Sequence, residues 1–228
     1  MILHLRQLLS PILSPSKSGR LPRFLDLQFV FLFCLIFSVS ACSSAPTIQR
    51  YDFGAPSQAS EANSAVGKLL RHKIVLADIA VPSQLDSDNM WYRLNYDNAL
   101  ELRAYAQNRW SATPAQLFAQ SLKQAINSDG GQVINTNEGV RDLPQLRIEL
   151  LEFAQHFSEV QRSQAVLQMR ASLVYKNQLL AQRNFQAQAP ASSADAKGGA
   201  RAMLQANAQL NAQLIDWLQK QLVSIKQP

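Results

Sequence analysis

The sequence predicts an α+β fold: a mostly antiparallel sheet with two main helices packed on one face. Three observations carry this. Apolar and polar residues alternate through 145–188 with turn residues between the runs, which is the pattern of strands joined as hairpins. Two stretches, 117–126 and 203–222, instead repeat apolar residues at helical spacing. A helix, then strands, then a second helix argues for layered α+β packing.

The elements follow in order. Ser43 to Gly67 is rich in Ser, Ala, Gln and Pro and reads as a tether. Within it Ile48–Phe53 alternates and is a candidate short strand. If that strand docks on the domain, the free tether is about five residues and reaches roughly 17 Å. If it does not, some thirty residues precede the first buried strand, with an r.m.s. reach of about 30 Å. Lys73–Val81 is a continuous apolar run ending at Pro82, a buried strand. Ser83 to Asn89 is a polar loop. Met90–Tyr96 is a strand, Asp97-Asn98 a turn, and Leu100–Tyr105 the hairpin partner.

Thr113-Pro114-Ala115-Gln116 opens the first helix: Thr113 caps, Pro114 suits the first helical position, and Gln116 completes a capping box. Leu117, Phe118, Leu122, Ala125 and Ile126 share one helical face, and Asp129-Gly130-Gly131 stops the helix. Gln132–Asn135 reads as a brief strand. From Gln145 the alternation is clear, and a second strand sets Ala165, Leu167, Met169, Ala171, Leu173 and Tyr175 against Gln168, Arg170, Ser172 and Lys176. Lys176-Asn177-Gln178 turns into a third strand that reaches about Gln188. Polar residues along one side leave that face to water. The last helix starts at Ser192–Asp195 and carries Met203, Leu210, Leu214, Trp217, Leu218 and Leu222 as its apolar stripe.

Ahead of this domain lies an export signal. Arg6, Lys17, Arg20 and Arg23 stand against the single Asp26, followed by the apolar run Phe29–Phe37. From Leu27 to Ala41 is fifteen residues, short of the ~20 that a membrane-spanning helix needs. Val39-Ser40-Ala41-Cys42 resembles the bacterial lipobox, which implies cleavage between Ala41 and Cys42 and acylation of the Cys42 thiol. The expected organisation is therefore a signal peptide over 1–41, a lipidated N-terminus and tether over 42–67, and one α+β domain over 68–228.

Cysteine and charge fit that division. Of the two cysteines, Cys34 leaves with the leader and Cys42 carries lipid, so the domain has neither free thiol nor disulfide. A chain of 187 residues can dispense with bridges. The formal charge of +6 includes four positive residues and one negative in the leader, so the remainder carries about +3. With no dense Lys/Arg cluster, nucleic-acid binding is unsupported.

Catalytic patterns are missing where they would be expected. His4 lies in the leader, and His72 and His156 stand alone without metal-ligand spacing. No G-x-S-x-G elbow is present, and the sole S-x-x-K match, Ser14 to Lys17, is in the leader. Glu149 and Glu152 read as solvated strand residues. Gly130-Gly131 ends a helix, and Gly198-Gly199 lacks a phosphate-loop context. No cofactor is expected. Trp91, Tyr92, Arg93, Tyr105, Arg109 and Trp110 are the candidate contacts for a partner or an apolar ligand, with core packing the simpler role for such large side chains.

These residues also carry a family resemblance. Tyr51-Asp-Phe-Gly54, Met90-x-Tyr92-Arg93, Tyr105-x-x-x-Arg109-Trp110-x-x-x-Pro114, Phe185 before a Pro-Ala-Ser linker, and Trp217-Leu218 near the end of the last helix resemble the ABC-type transport auxiliary lipoprotein family. The resemblance implies a non-catalytic outer-membrane lipoprotein on the periplasmic face. It would serve an intermembrane lipid-transport system with a mammalian-cell-entry (MCE) domain protein as partner. Ser43 after the lipidated cysteine fits outer-membrane sorting, and a homo-oligomer fits a symmetric MCE partner. A structural or assembly lipoprotein and a lipid-anchored hydrolase with scattered carboxylates are the alternatives.

Overall fold

The computed structural model describes residues 46–53, 72–223 and 225. The leader, the Ala41–Cys42 cleavage position and most of the tether, including Gly54, lie outside the described residues. The described residues from Thr47 onward form one compact unit.

Its elements are β1 (Gln49–Tyr51), β2 (Lys73–Leu76), β3 (Asn89–Leu94), β4 (Asn98–Trp110), α1 (Pro114–Ser128), β5 (Gln132–Asn135), β6 (Gln145–Glu159), β7 (Arg162–Tyr175), β8 (Gln178–Pro190) and α2 (Ala196–Leu222). The Thr113 capping box forms, with the Gln116 N–H donating to Thr113 Oγ1 at 3.4 Å and Gln116 Oε1 accepting the Thr113 N–H at 3.2 Å. Gly130 follows the helix at φ 87°, the left-handed conformation that a helix stop requires. Asp195 caps α2 by accepting the Gly198 N–H at 2.7 Å. Among the described residues no helix is long and apolar enough to cross a membrane.

The sheet is mixed, which corrects the expectation of a mostly antiparallel one. The local hairpins β3–β4, β6–β7 and β7–β8 are antiparallel, as their turns demand. The pairings that join those hairpins are parallel: β1 with β4, β2 with β5, β2 with β6, and β3 with β6. Short turns leave a signature in sequence, whereas pairing across tens of residues leaves none, so only the antiparallel half was legible.

Strand β6 organises the layer. One edge pairs along its length with β7; the other is shared by β2 near its start and β3 near its end. Lys73–Val81 is not one continuous strand: β2 ends at Leu76 and the chain returns to β6 through a single bridge, Ala80 to Glu149. β4 extends five residues beyond its expected end at Tyr105, to Trp110, with register shifts against β3.

Both helices pack on one face. Leu146, Ile148 and Leu150 point into that core, but a register shift between Leu150 and Glu152 changes the parity. Beyond it Phe153, Gln155 and Phe157 take the core positions. Phe153 is fully buried and packs edge-on against Trp110 at 5.4 Å, while Phe53, just after β1, contacts both rings. That aromatic cluster and the β1–β4 pairing dock residues 49–53 on the domain. Across the core α2 buries Met203, Ala206, Leu210, Leu214 and Leu218 against β7 and β8, with Trp217 edge-on to Phe185 at 5.7 Å. Between the helices Asn207 and Asn211 both donate to Ser121 Oγ.

Candidate functional site

The register assigns the candidate contact residues to three places. Trp110 is only 2% exposed and belongs to the core. Arg109 folds back on its own strand, its guanidinium donating to the Tyr105 and Asn108 carbonyls. The other four divide between the two faces of the sheet.

Tyr92 and Tyr105 lie on the core side, rings 4.7 Å apart, where α2 begins. The Tyr105 hydroxyl donates to Gln155 Oε1 at 2.9 Å. The Gln155 amide donates in turn to Ser163 Oγ at 2.8 Å and to the Asp195 carbonyl at 3.2 Å. Gln155 is 3% exposed, and these bonds satisfy an amide that burial would otherwise penalise. Burial first, then the neighbouring Tyr92 and Asp195, raises the Tyr105 hydroxyl above its ordinary pKa, so it remains a donor. Two glycines permit the approach: a Cβ on Gly199 would land on the Gln155 side-chain amide, and one on Gly198 would land on the Ser193 backbone. The network fixes the start of α2 to β6, and its tyrosines are structural before they are anything else.

Trp91 and Arg93 lie on the opposite face, away from both described helices. The pairing sets Ala104, Trp91, Ala154, Val166 and Gln188 in one row across it, and Arg93, His156 and Gln164 in the next. Ala154 and Val166 are nearly inaccessible although neither of the described helices covers this face. Trp91 is the one large side chain in their row, and its indole N–H is buried without a hydrogen-bond partner among the described residues. Beside it Glu152 Oε1 sits 3.6 Å from Arg93 Nε and 3.3 Å from His156 Nε2. Burial pushes the Glu152 carboxyl up, but the His156 hydrogen bond and the Arg93 charge together outweigh it, and its pKa falls below the ordinary value. Glu152 is thus a paired, half-buried carboxylate rather than the solvated one expected. Glu149 fits that expectation better, exposed and 3.2 Å from Arg170 across the β6–β7 pair.

Farther along the same face two shallow depressions, of about 480 and 310 Å³, meet at Arg147 and Ser172. Among the described residues no three His, Cys, Asp or Glu side chains converge as a metal site. The Arg93–Glu152–His156 group is hidden in the sequence because the register shift at Leu151 decides which face of the sheet Glu152 and His156 take. Its one sequence signal is the i, i+4 spacing of Glu152 and His156, which in the regular stretch beyond the shift places both on one side.

Comparison with solved structures supports the fold. A protein from Xanthomonas campestris superposes with a TM-score of 0.61 at 20% identity, covering 77% of this chain and 94% of that one. A second crystal structure, of an uncharacterized protein, gives 0.58 at 16% identity, covering 75% and 99%. No curated protein matches the chain. The family model described as the ABC-type transport auxiliary lipoprotein component matches residues 51–215, from the end of β1 into α2. That span takes in both faces of the sheet and both helices, and the chain belongs to this family of auxiliary lipoprotein components of ABC-type transport systems.

Proposed function

We propose that the protein is the lipid-anchored, non-catalytic subunit of an MCE-type intermembrane lipid-transport system, held by Cys42 at the periplasmic face of the outer membrane. The observation that carries the reading is the family match over residues 51–215. The chemistry of the domain supports it. The Glu152 carboxylate is held ionised by His156 and Arg93, which suits an electrostatic contact better than a proton-transferring acid. The depressions on the same face are shallow and open rather than enclosing.

In this reading acyl chains on Cys42 hold the domain at the bilayer, each buried methylene adding roughly 0.8 kcal/mol. Confinement there raises the effective concentration for a partner that crosses the periplasm, so a weak contact suffices. The contact surface is the face around Trp91 and Arg93, opposite the described helices, where an indole and paired charges lie together. The assay is a photo-reactive residue at Gln164, which is exposed in the Arg93–His156 row, with a second at Gln205 on the outer side of α2 as control. Irradiation of intact cells should join position 164, and not 205, to the MCE-domain protein. Equal adducts from both positions, or none from 164, overturn this choice of face.

A further inference from the structure

One end of the sheet carries more exposed apolar surface than a solvated turn requires. The β3–β4 turn presents Tyr96 (46% exposed) and, just beyond it, Leu100 (92%); the β6–β7 turn presents Val160 (63%). The parallel register of Leu94 with Phe157, and the Asn95 N–H donating to the Phe157 carbonyl at 2.9 Å, set these two turns side by side. Charged groups around them are matched locally. Arg103 lies 3.3 Å from Asp97 and 2.5 Å from Glu101, and Arg162 lies 3.0 Å from Glu159. Aliphatic side chains with a tyrosine and self-neutralised charges suit the boundary between headgroups and acyl chains.

The direction of the chain says which surface this end meets. β1 runs parallel to β4 with Gln49 opposite Asn108, so the chain enters β1 from the side of the β3–β4 turn. Asn108 back to Asn98 is ten strand steps, roughly 33 Å at ~3.3 Å per residue. Gln49 back to Cys42 is seven steps, at most ~24 Å when fully extended. A tether laid along β4 therefore ends ~10 Å short of the turn. An anchor at Cys42 is too short to hold this end of the domain clear of its own membrane. The exposed Val140, Leu179 and Leu180 lie at the far end, where β7 turns into β8 and the chain enters β6.

We propose that the paired β3–β4 and β6–β7 turns sink Tyr96, Leu100 and Val160 into the surface of the bilayer that holds the acyl chains. The anchor then fixes the orientation of the domain as well as its distance. This rests on the reading that Cys42 is the lipidated residue, and the test separates the two. The chain from Cys42 onward, with its free thiol, is coupled to vesicles of phosphatidylethanolamine and phosphatidylglycerol that contain a maleimide-bearing lipid. Amide hydrogen exchange is compared with the same chain free in solution. Exchange should slow severalfold at residues 95–100 and 159–162 and stay unchanged at 176–180. L100D, at a fully exposed position, should abolish the slowing without altering exchange in the core. Unchanged exchange at the two turns, or equal slowing at 176–180, overturns the membrane contact and leaves the anchoring reading standing. Separately, the mass of the protein purified from cell membranes reports acylation at Cys42. An unmodified Cys42 overturns the anchoring reading and the contact with it.

Discussion

Gly198→Ala adds one methyl group inside a helix, a change that ordinarily stabilises by about 1 kcal/mol. Here it should do the opposite. The new Cβ would fall on the carbonyl oxygen, hydroxyl and amide nitrogen of Ser193, and backbone atoms cannot step aside as a side-chain tip can. Ser193 is also the residue whose hydroxyl donates to Asp195 Oδ1 at 2.8 Å, while that oxygen accepts the Gly198 N–H at 2.7 Å. Opening the loop to admit the methyl breaks the cap, about 1 kcal/mol, on top of an overpacking strain of about 1–3 kcal/mol. Set against the propensity gain, the net is a destabilisation of about 1–3 kcal/mol. Urea unfolding followed by circular dichroism should show a lower midpoint at unchanged slope, and Tm should fall about 2–4 °C for each kcal/mol. A double-mutant cycle adds a second reading: Gly199→Ala strikes the movable Gln155 amide, so it should do less harm in a Gln155→Ala background than in the wild type. A Gly198→Ala protein as stable as the wild type would refute the close approach of α2 to the loop before it.

Two further outcomes follow from the same structure. Phe153→Ala removes the ring that Trp110 and Phe53 both contact; it should destabilise by about 3–5 kcal/mol and speed hydrogen exchange at residues 49–51 more than in α2. Asp195 has its pKa lowered by the Gly198 N–H and the Ser193 hydroxyl, so its charged form contributes stability above the ordinary carboxylate value, near ~4, that is lost as pH falls through the depressed one. Asp195→Asn keeps a capping side chain but loses the charge, so its modest deficit at neutral pH should shrink on acidification, as measured by urea midpoints across that range.

How far the sequence reveals this protein depends on how local each feature is. The Thr113 box, the Asp195 cap and the β6–β7–β8 alternation are written in neighbouring residues, and each forms where its residues predict. β5 is equally legible, whereas of the run Lys73–Val81 only Ile74–Leu76 is buried strand, Asp78 and Ala80 being exposed. The parallel joins depend on Gln49 meeting Asn108 and Trp91 meeting Ala154, contacts that no local pattern encodes. The six candidate contact residues do not share one surface. Trp110 is buried, Tyr92 and Tyr105 brace α2, and Trp91 and Arg93 face away from both. Glu152 and His156 join Arg93 because one irregular residue in β6 shifts the register. A single inserted residue reverses which side chains share a face, and nothing in an alternating sequence marks where it falls.

Purification from membranes in mild detergent tests the proposal that this domain serves a transport complex from a lipid anchor. The tagged wild-type chain, acylated at Cys42, should bring down an MCE-domain protein. Cys42→Ser should leave the domain folded, release it from the membrane fraction and sharply reduce that recovery. A fully acylated wild-type protein that recovers no MCE-domain partner would contradict the claim.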